Sequence, residues 1–297
     1  MTATTFTTTA TAEIHVDGPA GRLAVLDHGG TGPDVLLLHG ATRTALDWEP
    51  LRPHLPGLRL AAPDLRGHGR SDGDGDHGWP ALLADLDAVI AALGLHTPWL
   101  VGHSLGGMLA VRYAATRPGA VRGIVDLDGF GPGVPSLYPG LTTAEVTERR
   151  AEQLALFAAL PAEPLTAEEC AARARARAAL LGTDPGAEEA TALRARTADG
   201  GARPAPAELP ALMAPLDGWD MFAEARALTC PALFVRGAVP PAVDHLPPRL
   251  AELTTALVAG IDRELATLPH TADVAAGHLL HLERPVETAR LIREFIG

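Results

Sequence analysis

The hydrophobic positions of the chain change period in a regular succession. Residues 13–16 and 22–26 alternate polar and apolar around the turn 17–21, which predicts an edge hairpin. Residues 35–38 are continuously apolar, the mark of a parallel strand covered on both faces. Residues 46–55 read as helical with Trp48 and Leu51 toward the core, and 58–62 as the next strand. Residues 79–93 form an amphipathic helix with a stripe of Leu83, Leu86, Ile90 and Leu93 and a stop at Gly94. An apolar run at 99–101 passes into a helical pattern without a gap, and 121–128 is another strand. From 136 to 226 the signals are helical only. Thr142 with Glu145 and Thr166 with Glu169 read as capping boxes, and Asp184-Pro185 as a cap with a first-turn proline. Strand character returns at 231–235. A helix follows near 249–259, then a plausible last strand at 263–267. The final helix follows Pro285, with Val286, Ala289, Ile292, Phe295 and Ile296 inward. Such alternation of strand and helix specifies an α/β, doubly wound sheet.

Composition narrows the partners. The chain has 297 residues, of which 47% are hydrophobic, enough for one large domain or a core with an insertion. A net charge of −12 argues against nucleic acid and anionic membrane surfaces. Cys170 and Cys230 form neither a disulfide framework nor a ligand pattern, so a reducing, cytoplasmic setting is expected. The Thr- and Ala-rich stretch 1–12 lacks the charged and apolar regions of a secretory signal and is expected to be a frayed tail. No apolar run has the length of a membrane span. The twelve histidines do not pair with carboxylates at zinc-ligand spacing, so neither metal nor cofactor is expected.

Chemistry concentrates in Gly102-His103-Ser104-Leu105-Gly106-Gly107, where the apolar strand meets the helix. That is the setting in which a G-x-S-x-G sequence acquires meaning. Gly102 and Gly106 permit a tight turn, and Gly107 allows the helix to pack close to the sheet. Ser104 is then held with its hydroxyl exposed. The amide of Leu105, at the helix N-terminus, points to where an oxyanion would form.

Four motifs in order carry a family likeness: His39-Gly40, Asp64-x-Arg66-Gly67-His68-Gly69-x-Ser71-Asp72, the Ser104 segment, and Gly277-His278 with Glu283-x-Pro285. The chain resembles the α/β-hydrolase superfamily, and specifically a serine hydrolase with a helical cap. The resemblance implies a mostly parallel, eight-stranded sheet as the core, residues 13–135 and 227–297, with a cap inserted at 136–226. It implies Ser104 as nucleophile, His278 as base, and the amide of Ala41 beside that of Leu105 in the oxyanion hole. His39 would brace its loop, Asp64, Arg66 and His68 would form a structural network, and His281 would face the helix or the pocket rim.

The acid departs from the commoner pattern. Gly237-Ala238-Val239-Pro240 has a proline where that pattern has an aspartate. Some family members carry the acid at the end of the preceding strand, where this chain has Asp128, and Asp244 is the fallback. Asp126, deeper in the same strand, is costly unless paired. An acid on this strand also resembles the arrangement in mycotoxin-lactone hydrolases. The expected activity is hydrolysis of a carboxylic ester or lactone of a small, fairly apolar molecule, with Phe130, Tyr138, Trp219 and Met221 as candidate pocket walls. A carbon–carbon bond hydrolase, thioesterase or acyltransferase is the alternative enzyme, and a non-catalytic small-molecule binder the alternative of another class. A monomer or homodimer fits equally.

Overall fold

The apolar runs become the middle of one eight-stranded sheet in the computed structural model, which describes residues 11–73 and 75–297. β1 (Ala12–Gly18) and β2 (Gly21–Gly29) form the antiparallel hairpin at one edge. β3 (Asp34–Leu38), β4 (Arg59–Pro63), β5 (Trp99–His103), β6 (Gly123–Leu127), β7 (Ala232–Gly237) and β8 (Thr271–Val274) are parallel to one another, and β4 joins the hairpin through an antiparallel pairing with β2. The order across the sheet is β1-β2-β4-β3-β5-β6-β7-β8. The runs are continuous because both faces are covered. Leu36, Leu38, Leu100 and Ile124 pack on one face against α1 (Trp79–Ala92) and α2 (Leu105–Thr116). The intervening Val35, Leu37, Val101 and Val125 pack on the other against Trp48, Leu51 and α10 (Pro285–Ile296). Period-two alternation thus sends successive side chains into two cores.

Between β6 and β7 lie α3 (Thr143–Ala158), α4 (Ala167–Leu181), α5 (Pro185–Arg194), α6 (Leu209–Met213) and α7 (Met221–Ala227), with no named strand among the described residues. Both capping boxes form: Glu145 Oε2 accepts from the Thr142 amide at 2.8 Å and Glu169 Oε2 from the Thr166 amide at 2.9 Å. Asp184 caps α5 through the Ala187 amide at 2.8 Å, ahead of Pro185. α8 (Pro248–Leu265) and α9 (Leu280–Glu283) complete the chain. None of these helices is long and apolar enough to cross a membrane.

Several elements depart from expectation. Residues 46–55 form two 3₁₀ turns, Ala45–Trp48 and Arg52–His54, because Pro50 and Pro53 lack the amide donors that an α ladder requires. The strand expected at 263–267 is instead the last turn of α8, which ends at Leu265, and the turn after it; the last strand is β8, a few residues on. Val286 is 62% exposed, since the inward stripe of α10 runs through Thr288, Ala289 and Ile292. Of the tail expected at 1–12, residues 1–10 lie outside the described residues, and Ala12 opens β1.

Candidate active site

The site is assembled where parallel strands end. Ser104 joins β5 to α2 with φ 52° and ψ −117°, a left-handed region that costs a non-glycine residue free energy. Glycine is enforced around it by backbone. A Cβ on Gly102 would lie 2.1 Å from the Gly106 carbonyl oxygen, and one on Gly106 2.1 Å from that of Leu38. Leu105, as the first residue of α2, has an amide with no acceptor inside the helix.

The turn after β3 lies over Ser104. A Cβ on Gly40 would meet the Ser104 Cβ at 3.1 Å and the His103 ring at 2.8 Å, which places Gly40, the residue before Ala41, beside the serine. His39 braces this segment. Its Nε2 accepts from the Leu65 amide at 2.9 Å, so the proton sits on Nδ1, which donates to the Gly40 carbonyl at 2.8 Å. Asp64 accepts from the amides of Ala45 and Arg70, each at 2.8 Å, and Arg66 makes a bidentate pair with Asp85 at 2.6 and 2.7 Å. His68 Nδ1 bonds the Arg66 carbonyl at 2.8 Å, completing the buried network.

His278 Nδ1 is 2.7 Å from Asp128 Oδ2, and Asp128 Oδ1 accepts from the Gly237 amide at 2.9 Å. Asp128 itself has φ 55°. Asp244 is exposed on the loop before α8, far from this role. The role of His103 is not legible in the motif it belongs to. Its Nε2 donates to the His278 carbonyl at 2.9 Å and its ring centroid is 4.8 Å from that of His278. The residue preceding the serine therefore ties the strand end of β5 to the segment that carries the histidine. His281 is not at a rim: it is fully buried, its ring centroid 4.3 Å from that of His103 and 5.0 Å from that of Trp48, tilted to both. Burial holds both His103 and His281 below the usual imidazole range, so both are neutral.

Asp126 is fully buried. One oxygen accepts from the Gly129 amide at 2.8 Å and the other has no partner among the described residues. Burial pushes its carboxyl well above the ordinary range, so it is a neutral acid.

An open cleft of about 850 Å³ adjoins Asp128 and His278, with apolar walls from Phe130, Leu257, Val258 and Ile261, and from Leu180 and Leu181 of α4. Its other charged lining groups are engaged: Arg236 pairs with Asp262 and Asp273, and Glu283 accepts from the Gly277 amide at 2.8 Å. Of the four expected wall residues only Phe130 lines this cleft. Trp219 and Met221 border a separate cavity of about 150 Å³. Trp219 stands edge-on to Trp79 at 4.7 Å, joining the inserted helices to α1. Tyr138 is core, 2% exposed, and burial pushes its hydroxyl up to about 12.

A mostly parallel sheet with a strained serine after a central strand, and a histidine beyond its last strand paired with the carboxylate that follows β6, defines a class of fold. A family described as alpha/beta hydrolase fold matches residues 33–189. Lipase LipV of Mycobacterium tuberculosis is 31% identical over 278 residues, covering 93% of this chain and 98% of that protein. N-formylmaleamate deformylase of Pseudomonas putida is 39% identical over 125 residues, 38% of this chain and 46% of that one. Among solved structures, an E-2-(acetamidomethylene)succinate hydrolase superposes with a TM-score of 0.73 at 27% identity, covering 97% of this chain and 99% of that one. The chain belongs to the α/β-hydrolase fold family.

Proposed function

We propose that the protein is a serine hydrolase that cleaves a carboxylic ester or lactone of a small, fairly apolar molecule through an acyl-enzyme. The observation that carries this reading is the 2.7 Å contact between His278 and Asp128 on a segment that His103 ties to the Ser104 turn. Ser104 Oγ attacks the carbonyl while His278 Nε2 removes its proton. Asp128 fixes the imidazole with Nδ1–H toward the carboxylate and stabilises the cation that forms. The amides of Leu105 and Ala41 receive the oxyanion. His278 then passes the proton to the leaving oxygen, and water, activated by the same imidazole, releases the acid.

The apolar walls of the 850 Å³ cleft, with Arg236 neutralised by its partners, favour an uncharged, apolar substrate. Leu180 and Leu181 bring the inserted helices to that cleft, which supports their role as a cap. The lipase likeness and that to esterase Rv0045c of Mycobacterium tuberculosis, 36% identical over 111 residues, point the same way. The proline at position 240 would favour a binding protein without activity, but the 2.7 Å contact of Asp128 with His278 supports Asp128 in the vacant role. A carbon–carbon bond hydrolase, thioesterase or acyltransferase remains the second reading. It draws on a 35% identity over 120 residues to a putative 2-succinyl-6-hydroxy-2,4-cyclohexadiene-1-carboxylate synthase of Bacillus subtilis.

A fluorophosphonate probe is expected to modify Ser104 alone. Ser104→Ala should abolish labelling and aryl-ester hydrolysis together. Asp128→Asn should lower kcat about 10³–10⁴-fold and Asp244→Asn less than twofold. Hydrolysis that survives in Ser104→Ala overturns the reading. Turnover of a dienol ketone far above that of an aryl ester favours the carbon–carbon alternative.

A further inference from the structure

The turn that carries Ala41 is strained and held from an unexpected direction. The Arg43 amide donates to the Gly40 carbonyl at 3.2 Å, closing a four-residue turn whose third residue, Thr42, has φ 61°. A β-branched residue there is an outlier that persists only where its surroundings over-determine it.

The surroundings are a buried ionic cluster. The Arg43 guanidinium grips Asp47 through Nε at 2.5 Å and Nη2 at 2.9 Å, and Glu188 through Nη1 at 3.0 Å and Nη2 at 3.1 Å. Glu188 also takes Arg177 at 2.6 Å, and Thr191 donates to Asp47 at 2.7 Å. Arg194 reaches Asp64 at 2.7 Å, the residue that holds the Ala45 amide at 2.8 Å. Glu188, Thr191 and Arg194 stand at i, i+3 and i+6 on one face of α5, and all three are buried. Burial opposes ionisation of Asp47, yet the Arg43 guanidinium holds it far below the ordinary carboxylate range, and Glu188 is lowered in the same way. Arg43, Arg177 and Arg194 balance Asp47, Glu188 and Asp64, and all but Arg177 are buried, so each buried charge has a partner.

We propose that Glu188, on the inserted helix α5, is a positioning residue for the oxyanion turn: through Arg43 it keeps the strained Gly40–Arg43 turn, and hence the Ala41 amide, in place. On this reading α5 and the 40–48 segment move as one body. Any opening of the insertion must occur elsewhere, and the helix acts on the transition state rather than on substrate affinity. The inference rests on the assignment of Ala41 under the proposed function.

Glu188→Gln keeps the shape of the side chain and removes its charge. With an aryl ester it should lower kcat about tenfold with KM within twofold, and weaken a boronic-acid inhibitor by the same factor. Thr42→Gly removes the strain, so in that background the Glu188→Gln effect should fall below threefold. If Glu188→Gln does not fold, Thr191→Val, which deletes the donor to Asp47 and the acceptor for Thr44 on the same face of α5, is read by the same cycle. An unchanged kcat, a loss confined to KM, or an equal loss in both backgrounds overturns the proposal. Fluorophosphonate labelling of the wild type at Ser104 tests the parent reading separately: if Ser104 labels and the cycle is additive, the positioning role fails and the hydrolase stands.

Discussion

Asp126 and Asp128 lie two residues apart at the end of β6, and neighbours that are remote in sequence give them different work. Asp128 faces His278 and the Gly237 amide, whereas Asp126 is sealed between Gly107 and Gly129, with a Gly107 Cβ due to fall 2.0 Å from its Oδ1. Since burial keeps Asp126 neutral, an amide should replace it at little cost. Asp126→Asn retains the acceptor for the Gly129 amide and is expected to stay within about 1 kcal/mol of wild type by urea unfolding, with kcat within threefold. Asp126→Ala leaves that buried amide unpaired one residue from Asp128. It should cost about 1–3 kcal/mol and lower kcat as the Asp128 turn loosens. If the asparagine variant is the less stable of the two, Asp126 is ionised and the assignment of its state is wrong. The sequence displayed both carboxylates and the price of burying one. It named Asp128 only through the family likeness and left Asp244 as a fallback, because the pairing with the histidine spans 150 positions.

At the scale of elements, what was readable depended on whether the cause was local. The Ser104 turn was readable because glycine spacing, an apolar strand and an uninterrupted helix lie in one stretch. A direct test follows from that locality. Gly102→Ala places its Cβ 2.1 Å from the Gly106 oxygen and 2.2 Å from the Gly106 carbonyl carbon, both backbone atoms, so the turn itself must open. Labelling of Ser104 should slow by at least about 10²-fold, the scale of losing one oxyanion donor. A labelling rate near that of wild type would mean that the turn tolerates splaying. Helix caps were readable for the same reason. Where the cause was tertiary, legibility ended. The α5 sequence shows Glu188, Thr191 and Arg194 as an ordinary polar face, and only docking against Arg43, Asp47 and Asp64 turns them inward. The 263–267 segment is rich in helix formers, and its Leu265 continues the buried face of α8. Trp219 reads as a pocket aromatic until Trp79 is seen beside it.

The whole molecule buries several neutral imidazoles, and this sets its response to acid. His39 and His68 are fully buried with rings 5.1 Å apart, and burial lowers them to about 4 and about 3 respectively. His103 and His281 are lowered as well, again chiefly by burial. Independent of any titration, His39 accepts the Leu65 amide through Nε2 and cannot take a proton there without losing that bond. The folded chain therefore binds these protons less readily than the unfolded chain, whose histidines titrate near 6.5. Stability is complete above that value and falls as pH drops toward 4, because the unfolded state takes up protons first. His39 alone contributes a loss on the order of 3 kcal/mol across that window, a large part of a typical 5–15 kcal/mol total. Carboxylates held low by arginine, Asp47 and Glu188 among them, oppose acid only at lower pH, since their stabilisation disappears below the ordinary carboxylate range. Two successive losses are thus expected, the first in a range where carboxylates are still ionised. Melting temperature should be level above about pH 7, decline from about pH 6.5, and fall away before pH 4. Calorimetric unfolding at pH 5.5, repeated in buffers of different ionisation enthalpy, should register uptake of at least about two protons per chain. A melting temperature that stays flat from pH 7 to 5 would mean that these rings reach solvent, and the closed packing of His39, His68, His103 and His281 around the Ser104 turn would then be untenable.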